Sequence, residues 1–543
     1  MDLLLDKPSC LGEPWLSVYE MPAEFEAEHF ERAMSHLIRE PNINSTVILR
    51  ADMLEHTTYN LLGQIETQVK NSPELPSFPA TESSQTPLLQ RDLDDIALRL
   101  DLALLNEMNL KLSSSFIRRI IPRNPFKDHI IIQTCLLYKA DKSVLVVYVP
   151  HISKKEDGPF YLPPVYTIGL LYREGTISIH YIPFEDDALF AQLDAAERPI
   201  RIALRLLQTL AKHSKGVKVG YEKRVNHDLV VSRVSFQNRY IELKKKYSGD
   251  LVANWVESTD PKKHVFEDLA VAAFLIELWN THYKDKEFEF RDLGCGNGLL
   301  ANILILEGFK GKGIDARARK SWRTYPAEVQ LNLLEQIIIP GILLSLHPSV
   351  TSMAPYIAGR LFEVPGFDRK NPNAVPLIEY YSSENLLESH KVCTTEEFPP
   401  NTFIIGNHLD EVTCWIPLLG FPFMVIPCCS HALSGAKVRF PPRRASHGHK
   451  DSKSTQNTST YGALVDHVED LAHEMGWEVQ KEVLRIPSTR NSAIIGLERR
   501  TEFRDESAPQ REMRLWDIIA SEGGAEGWVP NLMALMSNSP KNH

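Results

Sequence analysis

Residues 292–299 read Asp292-Leu293-Gly294-Cys295-Gly296-Asn297-Gly298-Leu299, after the apolar stretch FEF and before the helical run LLANILILEG. Three glycines at alternate positions let the backbone turn tightly and approach a ligand with no Cβ in the way. The helix N-terminus beyond them can face a polar or anionic group. The spacing is G-x-G-x-G, and Leu299 stands where a dinucleotide fingerprint would want its last glycine. The next apolar strand ends at Asp315, 19 residues after Gly296. An acid at about this offset commonly binds a ribose diol, because a carboxylate accepts two hydroxyl hydrogen bonds. The competing reading is a glycine turn and a strand-ending Asp in an unrelated α/β domain.

Working outward, helical segments alternate with short apolar strands from residue 236 to 500, the pattern of a parallel α/β sheet. The expected strands are Glu287–Leu293, Lys312–Asp315, Thr402–Gly406, Phe421–Pro427, Val479–Ile486 and Ala493–Glu498. The interval 327–400 is long for one strand-helix step and should hold one further strand plus an insertion. Upstream, 92–235 reads as a small α+β domain: helical spacing over Asp92–Met108, then β-branched and aromatic hairpins over Ile130–Ile182. Residues 71–91 are rich in Pro and Ser and read as a flexible linker. Residues 1–70 read as a partly helical segment, with HFERAMSHLIRE its clearest piece. Residues 501–543 read as a polar tail with one short helix.

The chain has 543 residues, enough for about two to four domains. Its formal net charge of -10 excludes a non-specific polycation but leaves room for local basic patches. Three exist: Lys244–Lys246, Arg317–Arg323 and the loop 437–460. Seven cysteines are too few for a disulfide framework, and their odd count suits a reducing, cytoplasmic setting. No run of eighteen apolar residues occurs, so no transmembrane helix is expected.

Other constellations lie near strand ends, where open α/β sheets bind ligands. One is Gly406-Asn407-His408-Leu409-Asp410-Glu411, placed to meet a substrate; the plainer alternative makes Asp410 a helix N-cap. Another is Pro427-Cys428-Cys429-Ser430-His431. It lacks a C-x2-C pair, and neighbouring residues of a strand face opposite ways, so no metal is expected. The loop from Lys437 is a candidate phosphate-binding arm or a solvated insertion. The turn Leu484–Asn491 carries Arg485 and Arg490.

An acid followed by G-x-G-x-G resembles motif I of class I S-adenosylmethionine-dependent methyltransferases. Taken with TDPKKHVFEDLAVAAFLIELW, IGNHLDEVTCWIP, PCCSHALSG and LRIPSTRN, the chain resembles the eukaryotic tRNA (uracil-O2'-)-methyltransferase family, over roughly Tyr240–Glu498. That resemblance implies an α/β fold with a Rossmann-like sheet and an antiparallel last hairpin. It implies methyl transfer from S-adenosylmethionine to the ribose of uridine 44 in serine tRNA. By position, Asp292, Gly294, Gly296, Gly298 and Asp315 match the cofactor-binding residues. Asn407, His408, Asp410 and Glu411 match the family's post-strand motif and are the catalytic candidates. A ribose hydroxyl needs help with its proton: Asp410 or Glu411 would supply the carboxylate and Lys437 or Lys263 the amine, with His408 a competitor; the reading favours Asp410 as an orienting acid and Lys437 as the base. Neither a membrane nor an identifiable accessory protein is implied. Some family members end in a Cys/His zinc-finger-like segment, whereas this chain has no cysteine after Cys429. Other classes stay open: a methyltransferase acting on another RNA or on a protein, a non-catalytic RNA-binding scaffold, and a nicotinamide-dependent oxidoreductase, which Leu299 disfavours.

Overall fold

A computed structural model describes residues 2–5, 7–75, 96–100, 109–184, 190–221, 227–344, 391–442, 459–525 and 528. The chain divides into two compact units, Met1–Arg224 and Val225–His543.

The first unit is built on a nine-stranded antiparallel sheet. Its strands are β1 (Asp2–Leu3), β2 (Leu16–Pro22), β3 (Ile48–Tyr59), β4 (Ile65–Lys70), β5 (Lys111–Pro122), β6 (Ile131–Ala140), β7 (Ser143–Pro150), β8 (Thr167–Arg173) and β9 (Thr176–Ile182). Their order is β1-β2-β9-β8-β7-β6-β5-β3-β4. Helices α1 (Ala27–Arg39) and α2 (Arg198–Lys218) pack into a core that they share with the sheet. Helix α2 buries Ile200, Ala203, Leu207 and Leu210, the three-four spacing of one helix face.

This sheet corrects the expectation of a separate, partly helical segment over 1–70. Strands β1 to β4 belong to the same sheet as the hairpins. Charge disguised them. Arg50 and Asp52 on β3 are buried and paired at 2.7 Å, and Arg119 on β5 reaches the same carboxylate at 3.0 Å. Of the helix expected over Asp92–Met108, residues 96–100 have no regular structure and the rest lies outside the described residues. The linker expected over 71–91 lies outside them beyond residue 75, as does the insertion over 345–390.

The second unit centres on a seven-stranded sheet. It contains β10 (Glu289–Leu293), β11 (Gly311–Asp315), β12 (Leu333–Glu335), β15 (Thr402–Asn407), β16 (Phe423–Ile426), β17 (Trp477–Val483) and β18 (Ser492–Arg499). Strands β13 (Ile337–Ile339) and β14 (Val392–Thr394) form a separate parallel pair. The order is β12-β11-β10-β15-β16-β18-β17, parallel except for β18, which is antiparallel to both β16 and β17. The central strands β10, β15, β16 and β18 are largely buried on both faces, whereas the edge strand β17 is partly exposed. Ile404, Val425 and Ile494 enter one core, whereas their neighbours Ile405, Met424 and Ile495 enter the other. Helix α3 (Arg233–Ala253) leads into α4 (Pro261–His282), and Leu269–Ile276 of α4 is buried without a break.

The unit begins further upstream than residue 236. Glu482, almost fully buried, accepts backbone N–H bonds from Asp228, Leu229 and Val230 at 2.7–3.0 Å and from Val483 at 2.9 Å. Asp228 is also held by Arg485 through two hydrogen bonds, 2.8 and 2.5 Å long. No helix among the described residues is long and apolar enough to cross a membrane.

Candidate active site

Strands β11, β10 and β15 are parallel neighbours, so their carboxyl ends share one edge. The glycine turn follows β10. Gly294, Gly296 and Gly298 all have positive φ, at 64°, 53° and 73°. Gly298 caps α5 (Leu299–Leu306) in the left-handed region, a conformation that costs a residue with a Cβ about 1–2 kcal/mol. Gly294 must also be bare, because a Cβ there would stand 2.1 Å from Leu409 Cδ1.

Side chains from 321–325 clamp the turn from outside. Trp322 Nε1 donates to the Gly296 carbonyl at 2.9 Å and Tyr325 Oη to the Asn297 carbonyl at 3.0 Å. Asp315, at the end of β11, accepts the Gly296 N–H at 2.9 Å and the Arg317 N–H at 3.0 Å, one on each oxygen. Each oxygen keeps lone pairs for a ligand.

A cavity of about 330 Å³ opens here. It is lined by Gly294, Gly296 and Asp315 on one side and by His408, Leu409, Asp410 and Glu411 on the other. Arg317 and Arg319 also line it. The glycine turn and the post-strand motif, distant in sequence, thus meet in one space. Gly298 and Asp292 do not line it. Gly298 packs on Leu333 and Trp322, and Asp292 is buried two residues before the turn.

The post-strand motif splits in two directions. Asn407 and His408 turn towards α4. Asn407 Nδ2 donates to Asp268 at 3.2 Å, and His408 Nε2 lies 2.8 Å from Glu267. His408 itself sits at φ 54°. Asp410 turns the other way and accepts the Cys428 thiol at 2.9 Å. Burial disfavours its charge, but hydrogen bonds from the Cys428 and Cys429 thiols hold its carboxyl below the ordinary range, with help from His431 and Lys437. Asp410 is not a helix cap, since the 3-10 turn Thr413–Leu418 is capped at Val412.

Cys428 and Cys429 need a correction. Strand β16 stops at Ile426, so the two cysteines lie in a turn and both face Asp410. Their sulfurs and an Asp410 oxygen lie within 4.8 Å of one another, a set able to hold a metal ion. Burial, then Asp410, pushes the Cys428 thiol far up, so it stays protonated with only its present neighbours. Arg490 donates to the Cys428 carbonyl and reaches Cys429 Sγ at 3.5 Å.

Lys437 is exposed, does not line the cavity, and is one partner in an isolated bridge to His431. Lys263 is exposed on the first turn of α4. Lys246 is taken by Glu307 at 2.7 Å, and Lys244 lies over the Phe266 ring. The loop expected over 437–460 lies outside the described residues between 443 and 458.

Sequence reasoning passed over Glu267 and Asp268 as site residues, although both stand inside the quoted HVFEDLA stretch. Asp268 is pushed up to about 7, first by burial and then by Glu267. Burial, then Asp268 and Asp315, pushes Asp292 well above the carboxylate range. Asp292 Oδ1 is buried with no partner among the described residues. Crowded acids beside a bare glycine cradle suit a ligand that carries positive charge and a ribose. S-adenosylmethionine, with its sulfonium and ammonium groups, fits these residues.

Comparison with known proteins agrees. Residues 4–224 match the family described as "TRM44-like, N-terminal bet v1-like domain". Residues 230–340 match "Predicted AdoMet-dependent methyltransferase". The tRNA (uracil-O(2)-)-methyltransferase of Debaryomyces hansenii is 56% identical, covering 100% of this chain and 98% of that protein. The protein of that name in Saccharomyces cerevisiae is 50% identical over 99% of this chain and 96% of its own length. The one in Schizosaccharomyces pombe is 34% identical over 97% and 94%. No solved structure matches the chain. The chain belongs to the TRM44-like tRNA (uracil-O(2)-)-methyltransferase family and is an S-adenosylmethionine-dependent methyltransferase.

Proposed function

We propose that this enzyme methylates the ribose 2'-hydroxyl of a uridine in tRNA, with uridine 44 of serine tRNA as its position, and that it works in the cytoplasm. The single observation that carries this reading is the cavity joining Gly294, Gly296 and Asp315 to His408, Asp410 and Glu411. The relatives' printed name supports tRNA as substrate. The family resemblance supports the position, and seven free cysteines support a reducing compartment. The strand order and antiparallel last hairpin support a class I methyltransferase sheet.

S-adenosylmethionine, when bound, supplies an activated methyl group on sulfur. The chain must therefore hold the ribose oxygen in line and take up its proton. Asp315 would hold the cofactor's ribose, and the Gly294–Gly296 backbone would pass beside it. The ionised Asp410 carboxylate orients the attacking hydroxyl. His408 takes the proton. With Nε2 donating to Glu267, its Nδ1 is left as acceptor, the arrangement by which a carboxylate orients a catalytic imidazole. Lys437 is too exposed to be the first choice as base. Arg317 and Arg319 offer charge to substrate phosphates at the cavity wall.

The test is steady-state kinetics of Asp410→Asn and His408→Gln with tRNA, beside cofactor affinity from calorimetry. Both variants should lose at least a hundredfold in kcat, the usual scale of acid-base assistance, with cofactor Kd unchanged. Full turnover in either variant would remove that residue from the mechanism.

A further inference from the structure

The first unit holds a second cavity, about 400 Å³ in volume, that methyl transfer does not use. Its lining combines apolar side chains, Ile120 and Ile168 among them, with four arginines, Arg118, Arg198, Arg201 and Arg205. Arg118 is 4% exposed. Its guanidinium donates to the Leu37 and Ile38 carbonyls and to Gln133 Oε1, all neutral acceptors. Arg198 likewise donates only to backbone carbonyls, those of Phe160 and Leu162, and among the described residues no ion pair joins a carboxylate to any of the four arginines. A buried cation without an anion is costly, and a ligand that brings one is stabilising there.

Arg198, Arg201 and Arg205 follow three-four spacing on α2 and so share a face. Arg198 lies 4.2 Å over the ring of Phe160, which is 76% exposed. Asn44 Oδ1, also at this cavity, is buried with no partner. A fatty acid would bring one charge and leave the remaining arginines unmatched. A nucleic-acid strand brings a row of phosphates, an aromatic base for the apolar side chains, and donors for Asn44.

We propose that the first unit carries an RNA subsite: one unstacked nucleotide of the tRNA substrate enters this cavity beside Phe160, and its phosphate and the flanking ones lie on Arg198, Arg201 and Arg205. The proposal rests on the tRNA reading above and extends it to a unit without catalytic residues. Base stacking on aromatic side chains tolerates any sequence, so this subsite would add affinity and not choose the methylated position.

The test uses the full chain with Arg201→Ala/Arg205→Ala and, separately, Phe160→Ala, all at exposed positions. The double variant should raise KM for tRNA about tenfold or more, with kcat and cofactor Kd unchanged. Its log–log salt slope for tRNA binding should fall by about 1.4, the single-strand value for two phosphates. Phe160→Ala should weaken tRNA binding about fivefold or more at an unchanged salt slope. A short single-stranded RNA should protect the wild-type chain in thermal shift, and palmitate should not. An unchanged KM and slope in the double variant, or protection by palmitate alone, would overturn the proposal. Absence of any tRNA methylation by the wild-type chain would instead sink the reading on which it rests.

Discussion

Placing a methyl group on Gly294 tests whether the glycine turn and the post-strand motif are mechanically one site. Gly294 sits at φ 64°, so alanine there carries about 1–2 kcal/mol of backbone strain. Its Cβ would also stand 2.1 Å from Leu409 Cδ1. Leu409 is 5% exposed and packed into the core, so moving it costs about 1–3 kcal/mol more. Gly294→Ala should thus destabilise the second unit by about 2–5 kcal/mol. Leu409→Ala alone should cost about 2–5 kcal/mol as a buried truncation. In the double variant the clash is gone, so the glycine substitution adds only its backbone strain to the cost of truncating Leu409. The cycle should show a favourable coupling of about 1–3 kcal/mol. Urea unfolding followed by tryptophan fluorescence measures it. Cofactor calorimetry on the same four proteins should show at least a tenfold loss in Gly294→Ala, partly restored in the double variant, because Leu409 lines the cavity. Strict additivity, or a Gly294→Ala protein within about 0.5 kcal/mol of wild type, the scale of an ordinary surface substitution, would refute this reasoning.

Two more predictions concern buried carboxylates. Asp268, pushed up to about 7, keeps its proton in the folded chain where the unfolded chain loses it near pH 4. The folded state binds more protons across that window, so wild-type stability falls as pH rises from about 4 to about 7. Asp268→Asn keeps an oxygen for Asn407 and removes the charge. It should gain up to about 4 kcal/mol over wild type at pH 8 and nothing at pH 4, by urea melts at both; an equal difference at the two values would contradict the assignment. Glu482→Ala strips four backbone donors of their acceptor and should cost about 3 kcal/mol or more in the same assay. A loss under about 1 kcal/mol would show that water replaces the carboxylate.

The catalytic half was readable because its chemistry is written in local geometry. Only glycine suits the left-handed turns at 294, 296 and 298, and an acid at the end of the next strand announces itself by offset. The post-strand motif was readable as a unit but not in its directions. His408 and Glu267 are separated by 141 residues, and no spacing rule joins them. The first unit was harder. Strand β4 is exposed along its length, and β3 buries charges that look like surface until Arg50, Asp52 and Arg119 are seen together. Period-two reading needs a clean apolar alternation, and paired charges erase it. Cys428 and Cys429 misled for a related reason. Opposite-facing neighbours are a property of strands, and the strand had already ended.

The central claim is methyl transfer to a ribose of tRNA. Its most direct measurement is the incubation of this chain with methyl-labelled S-adenosylmethionine and tRNA from cells lacking the activity, followed by nuclease digestion and nucleoside mass spectrometry. The account predicts label in a 2'-O-methyluridine that maps to position 44 of serine tRNA. Label on a uracil base, on protein, or on no RNA would contradict it.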